Sequence, residues 1–428
     1  MGGFKIKESA YLREKYYYKT HESGLTITYV PKDVPQTFAV LCVDFGAEDI
    51  EYEKGGEKFV FPSGTAHFLE HKIFENADGS DALASFSRLG GSANAFTSFE
   101  NTCFYFSCTD NFYENLEVLL STVSNLHVTE KSVNKEKKII AREIKMYEDS
   151  PLTVCARETL AALFENHPLT LPVSGTEETI ADIDAKTLER AFDDFYIPAN
   201  MSLCVCGKAE TEKIDETVSK YFKQDGKKRP KTLVNSEDGG VVKKDVRVNA
   251  DVAVPRYFFE IKCAPPKAND LADDRRATAI KIGLNLLFGP SSEFFEENHI
   301  LLQDDIYTRF SDAEGASHIS LYGTSDEPEE VEKRIIDTFL KKAPTYFTDE
   351  EFIREKRATF AEEITLFDSA EDTAIETAEA GFLDYDAFDC REVIRDVTAD
   401  EVREALAREI DLDKHVFCIA ERSKKRRK

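Results

Sequence analysis

The alternation of apolar and polar positions predicts that this chain starts with strands and soon turns to helix. The segments "GLTITYVP" and "TFAVLCVDFG" are rich in β-branched and aromatic residues, which favour strands. A helical period follows from about Ser63 to Glu75, where apolar residues return every three or four positions. We therefore expect strands to precede the first helix.

A second helix and a long strand are predicted next. A short helical pattern runs from Asp81 to Leu89 and stops at a glycine pair. The stretch "AFTSFENTCFYFSC" then predicts one continuous strand, since Phe104 and Phe106 alternate with Tyr105.

The rest of the first half reads as helices closed by a strand. Helices are predicted at about 111–126 and 130–148, further helices follow, and "MSLCVCG" ends the series as a strand. The fold class predicted from this mixture is α+β.

Two pairs of segments indicate that this pattern occurs twice. "VNKEKKIIAREIKMYEDS" resembles "IREKRATFAEEITLFDS" at a shift of 220 residues, and Cys204 in one terminal strand corresponds to Cys418 in another. A polar, glycine-containing stretch lies between the halves and reads as a linker. We therefore predict domains at residues 1–225 and 246–428, joined by a linker at 226–245.

Composition narrows the class of protein. A chain of 428 residues with 42% apolar residues can form two cores, and no apolar run approaches the roughly 18 residues of a membrane span. The net charge of −26 argues against nucleic acid and anionic membranes as partners, and solubility alone explains it. The first residues lack the apolar segment of a secretory signal, and nine scattered cysteines without a CxxC pair predict reduced thiols and a cytoplasmic protein.

The stretch "GTAHFLEH" carries two histidines and a glutamate within five positions of a chain that has eight histidines. At about 100° per residue, His71 lies about 40° and Glu70 about −60° from His67 around the helix. Two imidazoles so placed can share a metal ion, with the carboxylate beside them, in the inverted form of the HExxH arrangement. A coincidental triplet on a surface helix is the alternative.

A catalytic zinc site needs a third protein ligand, and the candidate is on the helix predicted at 130–148. Glu136 and Glu143 are seven residues apart and lie on one line at the margin of its apolar stripe. Carboxylates at a core margin need a metal, a histidine or a strong hydrogen bond, although a solvated helix edge would also explain them. The face predicted to be buried comprises Val133, Ile140, Ile144 and Tyr147.

These motifs, in this order, resemble those of the inverzincin peptidases of the pitrilysin family, which includes insulin-degrading enzyme and the mitochondrial processing peptidase. "SGTAHFLEHKIFE" is similar to the zinc helix of the family, "GGSANAFTSFENTCFYFS" to its glycine turn and edge strand, and "EKKIIAREIKMYEDSP" to its third-ligand helix. The chain is more similar still to the family's small bacterial branch of half-length, cytoplasmic proteins. It covers about residues 20–210 with specific motifs.

The resemblance implies a zinc endopeptidase with one zinc ion per chain. By position, His67, His71 and Glu143 would bind the zinc, and Glu136 would be the acid that supports a ligand. Glu70 would be the general base that takes a proton from the attacking water and passes it to the leaving amine.

The resemblance also implies how substrate is held. Asn94, Ala95, Phe96 and Thr97 would lie on an edge strand that pairs with an unstructured peptide as an added β-strand. A plain turn role after the glycine pair is the alternative for Asn94. The family encloses such peptides in a closed chamber.

The second half lacks the motif, because Lys281, Leu284 and Asn285 stand at the positions of the two histidines and the glutamate. In the family, two such homologous domains, each a mostly antiparallel sheet packed with helices, form one half-shell of a clamshell. A homologous zinc-free subunit, as a heterodimer, or a second copy is therefore the expected partner. The Arg and Tyr that full-length members place near the scissile bond are not found, and the segment around His318 is where we would look for a replacement.

Two other functions remain open from the sequence. The chain could be a non-catalytic peptide-binding or scaffold subunit of a heterodimeric peptidase, although the complete motif argues against this. A purely structural zinc site is disfavoured, because such sites are usually rich in cysteine and have four protein ligands.

Overall fold

The structure is a computed structural model that describes residues 3–268, 270–303, 306–342 and 347–422. Helices and strands are mixed along the chain, which confirms the predicted α+β class. The strands, in chain order, are β1 (Lys5–Ser9), β2 (Glu14–Thr20), β3 (Thr26–Pro31), β4 (Thr37–Val43), β5 (Glu51–Lys54), β6 (Glu57–Val60), β7 (Ser92–Thr97), β8 (Thr102–Cys108), β9 (Met201–Gly207), β10 (Lys231–Thr232), β11 (Asp245–Asn249), β12 (Arg256–Cys263), β13 (Tyr307–Ala313), β14 (Ala316–Thr324) and β15 (His415–Glu421).

Several helices separate these strands. They are α1 (Thr65–Ile73), α2 (Leu83–Arg88), α3 (Phe112–Val123), α4 (Glu130–Glu148), α5 (Pro151–Leu163), α6 (Glu177–Ala181), α7 (Ala185–Phe195), α8 (Thr211–Tyr221), α9 (Leu271–Phe288), α10 (Glu293–Leu302), α11 (Pro328–Lys342), α12 (Asp349–Ile364), α13 (Ala370–Glu379), α14 (Ala387–Asp396) and α15 (Ala399–Glu409). Among the described residues, none of these helices combines the length and apolar character that crossing a bilayer requires.

The chain divides into two compact units, each built from three segments. The first comprises Met1–Ile144, Pro172–Leu233 and Ile364–Asp389, and the second comprises the remaining segments, which are Lys145–Leu171, Val234–Glu363 and Cys390–Lys428. In the first unit α13 packs on β4 and β9, and in the second unit α5 packs on β12 and β15. Each unit therefore includes one helix that comes from the other half of the sequence.

The main sheets of the two units share one topology. The first has the order β1-β2-β3-β9-β4-β8-β7 and the second the order β11-β15-β12-β14-β13. In each, one parallel pair (β3 with β9, β11 with β15) is followed by three antiparallel pairs. Five strands thus correspond one to one, as a duplicated unit requires, and β1 and β2 extend the first sheet.

The stretch that predicted one strand is a hairpin, so that prediction was wrong. The chain turns between β7 and β8, where the amide of Ser98 donates to the carbonyl of Asn101 at 2.8 Å and the Asn101 amide donates to the Ser98 hydroxyl at 3.0 Å. The polar residues "SFEN" can form this turn, and period-two alternation on both sides of it concealed the break. β7 thereby becomes the outermost strand of the first sheet.

The core of the first unit lies between this sheet and the helices that cover it. Its buried cluster draws on β3, β4, β8 and β9 and on α1, α3, α4 and α7. Cys42 and Cys103 are joined by a disulfide, whereas the sequence predicted reduced thiols throughout. The two residues face each other across β4 and β8 with their Cα atoms 4.1 Å apart, a pairing that their separation of 61 residues conceals in the sequence.

Candidate metal centre

The start of α1 is fixed where two backbone segments, each with a glycine, pass close to each other. Gly64 has a φ of 92°, and a Cβ on it would lie 2.6 Å from the carbonyl oxygen of Ser174. Gly175 has a φ of 70°, and a Cβ there would lie 2.4 Å from the carbonyl oxygen of Ser63. Only glycine allows both the left-handed backbone and this close approach, so the crossing determines where α1 begins.

The two faces of α1 have different roles. Ala66, Leu69 and Ile73 belong to the buried core, as does Phe68, and they anchor the helix against the sheet. The remaining face carries the two histidines and the glutamate of the motif. Only 8% of the surface of His67 is exposed, so packing holds its ring in place.

Helix α4 supplies the carboxylates. Val133, Ile140 and Ile144 are buried as predicted, and Glu136 and Glu143 lie at the margin of that face. Tyr147 was predicted to be buried with them, and this was wrong, because its surface is 43% exposed. Ile144 is the last residue of the first segment of the first unit. Tyr147 lies beyond it, where the core of that unit no longer covers the helix.

The structure brings His67, His71 and Glu143 together. The Nε2 atom of His67 lies 3.5 Å from Oε1 of Glu143, and the Nε2 atom of His71 lies 3.4 Å from Oε2 of the same carboxylate. One ligand atom from each of the three residues lies within 4.8 Å of the others. Within the part of the chain that the structure describes, this is the one cluster of three side chains that could bind a metal ion.

The donor spacing fits a zinc ion. Zn–N and Zn–O bonds of about 2.0–2.2 Å in a tetrahedral arrangement place neighbouring donors about 3.4 Å apart. The two imidazole–carboxylate distances of 3.5 and 3.4 Å match that spacing. Two imidazoles and one carboxylate also form the three-ligand set that leaves a fourth position open.

The electrostatics of the cluster match a cation site. Burial alone would lower the pKa of His71, but hydrogen bonds to Glu136 and Glu143 outweigh it and raise that pKa to about 9. Hydrogen bonds from His67 and His71 hold the pKa of the Glu143 carboxyl well below its usual range. Positive charge is therefore favoured at this point, whether a proton or a metal ion supplies it.

The outer nitrogens of the two histidines differ in their surroundings. Nδ1 of His71 lies 3.1 Å from Oε1 of Glu136, so this acid orients the ring as the sequence suggested it could. Nδ1 of His67 is buried and has no hydrogen-bond partner among the described residues. Glu136 therefore supports one ligand of the pair, and packing supports the other.

Glu70 lies beside the cluster and contacts a residue that sequence reasoning assigned to substrate. The Thr97 hydroxyl donates to Oε2 of Glu70 at 2.6 Å. Thr97 lies 27 residues along the chain on β7, so only the folded sheet brings the pair together. No local sequence signal indicates this contact.

The other three residues predicted to bind substrate lie with Thr97 on edge strand β7. Ala95 packs against the core on the same side as the metal cluster, as the two-residue period of a strand requires for a neighbour of Thr97. Asn94 and Phe96 point to the opposite face, where both contact Tyr105 of β8. The outer edge of β7 is thus open to backbone pairing through the N–H and C=O groups of alternate residues, and two of the four residues, Ala95 and Thr97, have side chains on the metal side.

The second unit has an ion pair at the position that corresponds to the cluster. Lys281 of α9 stands where the repeat places His67, and its Nζ donates to Oε1 of Glu363 at 2.6 Å. Glu363 of α12 stands where the repeat places Glu143. In the unit that lacks the motif, an ammonium group thus pairs with the corresponding carboxylate.

His318 does not offer a free side chain. It lies in β14 with 9% of its surface exposed, and its Nε2 atom is 3.9 Å from Oε2 of the buried Glu260. Burial lowers the pKa of His318 to about 4, so the ring is neutral near pH 7. A role near the scissile bond therefore has no support from its surroundings.

An α+β chain with a duplicated sheet and a His–His–Glu cluster flanked by a glutamate outside the ligand set defines the class of zinc-protease-like proteins. Sequence comparison agrees: residues 62–177 match the family described as insulinase (peptidase family M16), and residues 182–359 match the family described as the peptidase M16 inactive domain. The chain belongs to peptidase family M16, which confirms the resemblance to the pitrilysin family.

Some relatives match nearly the whole chain and others match part of it. YmfH of Bacillus subtilis (strain 168), named an uncharacterized zinc protease, is 31% identical over 421 residues, which is 95% of this chain and 96% of that protein. A protein of Arabidopsis thaliana described as a probable mitochondrial-processing peptidase subunit beta is 30% identical over 164 residues, or 37% of this chain and 31% of that one. The solved structure of an M16-like peptidase from Alicyclobacillus acidocaldarius has a TM-score of 0.90 at 25% identity and covers 99% of both chains.

Proposed function

We propose that this protein is a zinc-dependent endopeptidase that hydrolyses unstructured peptides held as an added β-strand in a closed chamber. The observation that carries the proposal is the donor spacing of His67, His71 and Glu143, with Glu70 on the same helix left outside the ligand set. A structural zinc site has no use for that fourth residue, whereas peptide hydrolysis needs a base there.

The side chains of the cluster have distinct roles in this proposal. His67, His71 and Glu143 hold the ion, and Glu136 keeps the His71 ring oriented. Zinc, when bound, supplies Lewis-acid polarisation of the scissile carbonyl and makes water more acidic. Glu70 takes the proton from the attacking water and carries it to the nitrogen of the leaving amine.

Strand β7 supports the proposed way of holding the peptide. It is the last strand of the first sheet on the side of β8, so its outer backbone groups can pair with an extended peptide. Its residues Ala95 and Thr97 lie on the metal side, which sets the peptide beside Glu70. Pairing through backbone groups depends on an extended conformation of the peptide and not on any one side chain. We therefore expect the enzyme to select unstructured segments.

The test compares wild type with Glu70→Gln for zinc content by mass spectrometry and for cleavage of an internally quenched, unstructured peptide. We expect about one zinc per chain in both proteins and cleavage only by wild type, since the substitution removes a proton acceptor that is not a ligand. Glu148→Gln makes the same chemical change at an exposed position of α4 and should leave both measurements unchanged. Folded wild type that binds no zinc, or cleavage that survives Glu70→Gln, would contradict the proposal.

We also propose that a homologous zinc-free subunit, or a second copy of this chain, completes the chamber. The two-shell chamber of the family supports this, and so does the lack of an identified Arg and Tyr pair. Mass photometry of the purified chain, alone and after co-expression with a candidate homologue, tests it. Full activity of a species with the mass of a single chain would contradict it.

A further inference from the structure

The carboxylate of Glu70 is held by the strand that lies next to it. Oε2 of Glu70 accepts a hydrogen bond of 2.6 Å from the hydroxyl of Thr97, the last residue of β7. This bond is shorter than a typical bond between neutral oxygen groups and falls in the range of charge-assisted bonds. One oxygen of the carboxylate is therefore engaged by the protein.

The surroundings of Thr97 fix the direction of its hydroxyl. Thr102 lies directly opposite on β8, and its own hydroxyl donates to the carbonyl of Phe45 at 2.9 Å. The oxygens of Thr97 and Thr102 are 3.4 Å apart, so Thr102 occupies the space behind the Thr97 side chain. Because a β-branched residue has few χ1 rotamers, this packing holds the Thr97 oxygen beside Glu70, and the hydroxyl donates because the carboxylate oxygen is the acceptor.

We propose that Thr97 is a positioning residue that orients the base Glu70, and that its side chain is not a contact for substrate. A glutamate has several rotatable torsions, and tethering one oxygen limits the directions in which the other can meet a water molecule. Thr97 lies on the edge strand proposed to pair with the peptide, so one element sets both the peptide and the base. The inference rests on the proposed peptidase function.

Steady-state kinetics separate this role from substrate binding. Thr97→Val keeps the shape of the side chain but removes the donor, and we expect kcat to fall by about 10- to 100-fold, the size of a lost hydrogen bond to a carboxylate, with KM unchanged. Thr97→Ser restores the hydroxyl and should recover kcat to within about threefold of wild type. Thr37→Val is the matched control, because it removes a hydroxyl that accepts from the Lys208 amide at 3.1 Å at the start of β4. It should leave kcat unchanged.

A second measurement does not depend on activity or metal. In metal-free protein, the unfolding midpoint can be measured for Thr97→Val, Glu70→Ala and the double variant. The shift of the double variant should be smaller than the sum of the two single shifts, because either substitution alone already breaks the bond between the two residues. Additive midpoints, or a Thr97→Val variant that raises KM with kcat unchanged, would overturn the inference. Cleavage that survives Glu70→Gln overturns the peptidase proposal itself, whereas loss of cleavage in Glu70→Gln with full activity in Thr97→Val overturns only the role of Thr97.

Discussion

Removing the acid that orients His71 should weaken zinc binding by a predictable factor. Oε1 of Glu136 lies 3.1 Å from Nδ1 of His71, and only 12% of the Glu136 side chain is exposed, so water replaces the acid poorly. A hydrogen bond to a charged group contributes about 1.5–3 kcal/mol and one between neutral groups about 0.5–1.5 kcal/mol. Glu136→Gln, which keeps a neutral acceptor, should therefore raise the zinc Kd by about 5- to 10-fold. Glu136→Ala removes the acceptor and should raise it by about 10- to 100-fold.

A competition titration measures this difference. Each protein is titrated with zinc at fixed pH in the presence of a chromophoric chelator, and the Kd is obtained from the partition of the metal. Glu148→Gln is the matched control, since it changes an exposed glutamate of the same helix that is not part of the metal cluster. The reasoning fails if Glu136→Ala binds zinc as tightly as wild type, or if the control weakens binding equally.

Three further predictions concern stability, each measured by urea unfolding. Gly64→Ala should cost about 1–3 kcal/mol more than Gly79→Ala, because both residues have a positive φ but only the Cβ at residue 64 meets a neighbouring carbonyl; equal losses would contradict the crossing of backbones. Ile140→Ala should cost about 2–5 kcal/mol, whereas Ile139→Ala, at a position that is 42% exposed, should cost less than about 1 kcal/mol; similar losses would show that α4 does not bury the face described. Burial raises the pKa of Glu260 from 4.5 to about 8, so its contribution to stability is complete below pH 4.5 and is lost as pH rises through about 8. Glu260→Gln should remove that part of the decline between pH 4.5 and about 8, and an unchanged pH profile would exclude Glu260 as its source.

The elements with a strong helical period could be predicted closely from the sequence. The helix expected from about Ser63 to Glu75 extends over Thr65–Ile73, and the one expected at 130–148 extends over Glu130–Glu148. Glu136 and Glu143 could be marked as candidates because a carboxylate on the margin of a buried face requires a partner, and the resemblance to the family then assigned Glu143 as the ligand. Where a side chain's position follows from one helix, its neighbourhood can be anticipated.

Features that depend on strand pairing could not be predicted. The hairpin turn at Ser98 interrupts a continuous alternation, and period-two alternation does not show which of its residues leave the sheet. The bond between Thr97 and Glu70 and the link between Cys42 and Cys103 both join elements whose register is set only in the folded sheet. Exposure of Tyr147 is a similar case, because the helical period shows which face is apolar but not where the covering core ends.

The duplication gives a physical explanation for the proposed metal site. In both units a long helix presents a glutamate at the corresponding position, Glu143 in α4 and Glu363 in α12. Each half-buried carboxylate needs positive charge nearby, and the second unit supplies it with the ammonium of Lys281 at 2.6 Å. In the first unit two imidazoles occupy that side and leave room for a cation between them and Glu143, with donor distances that suit zinc. Positive charge is therefore favoured opposite this glutamate in both units, and the proposed zinc ion, unlike the tethered ammonium of Lys281, could also take part in chemistry.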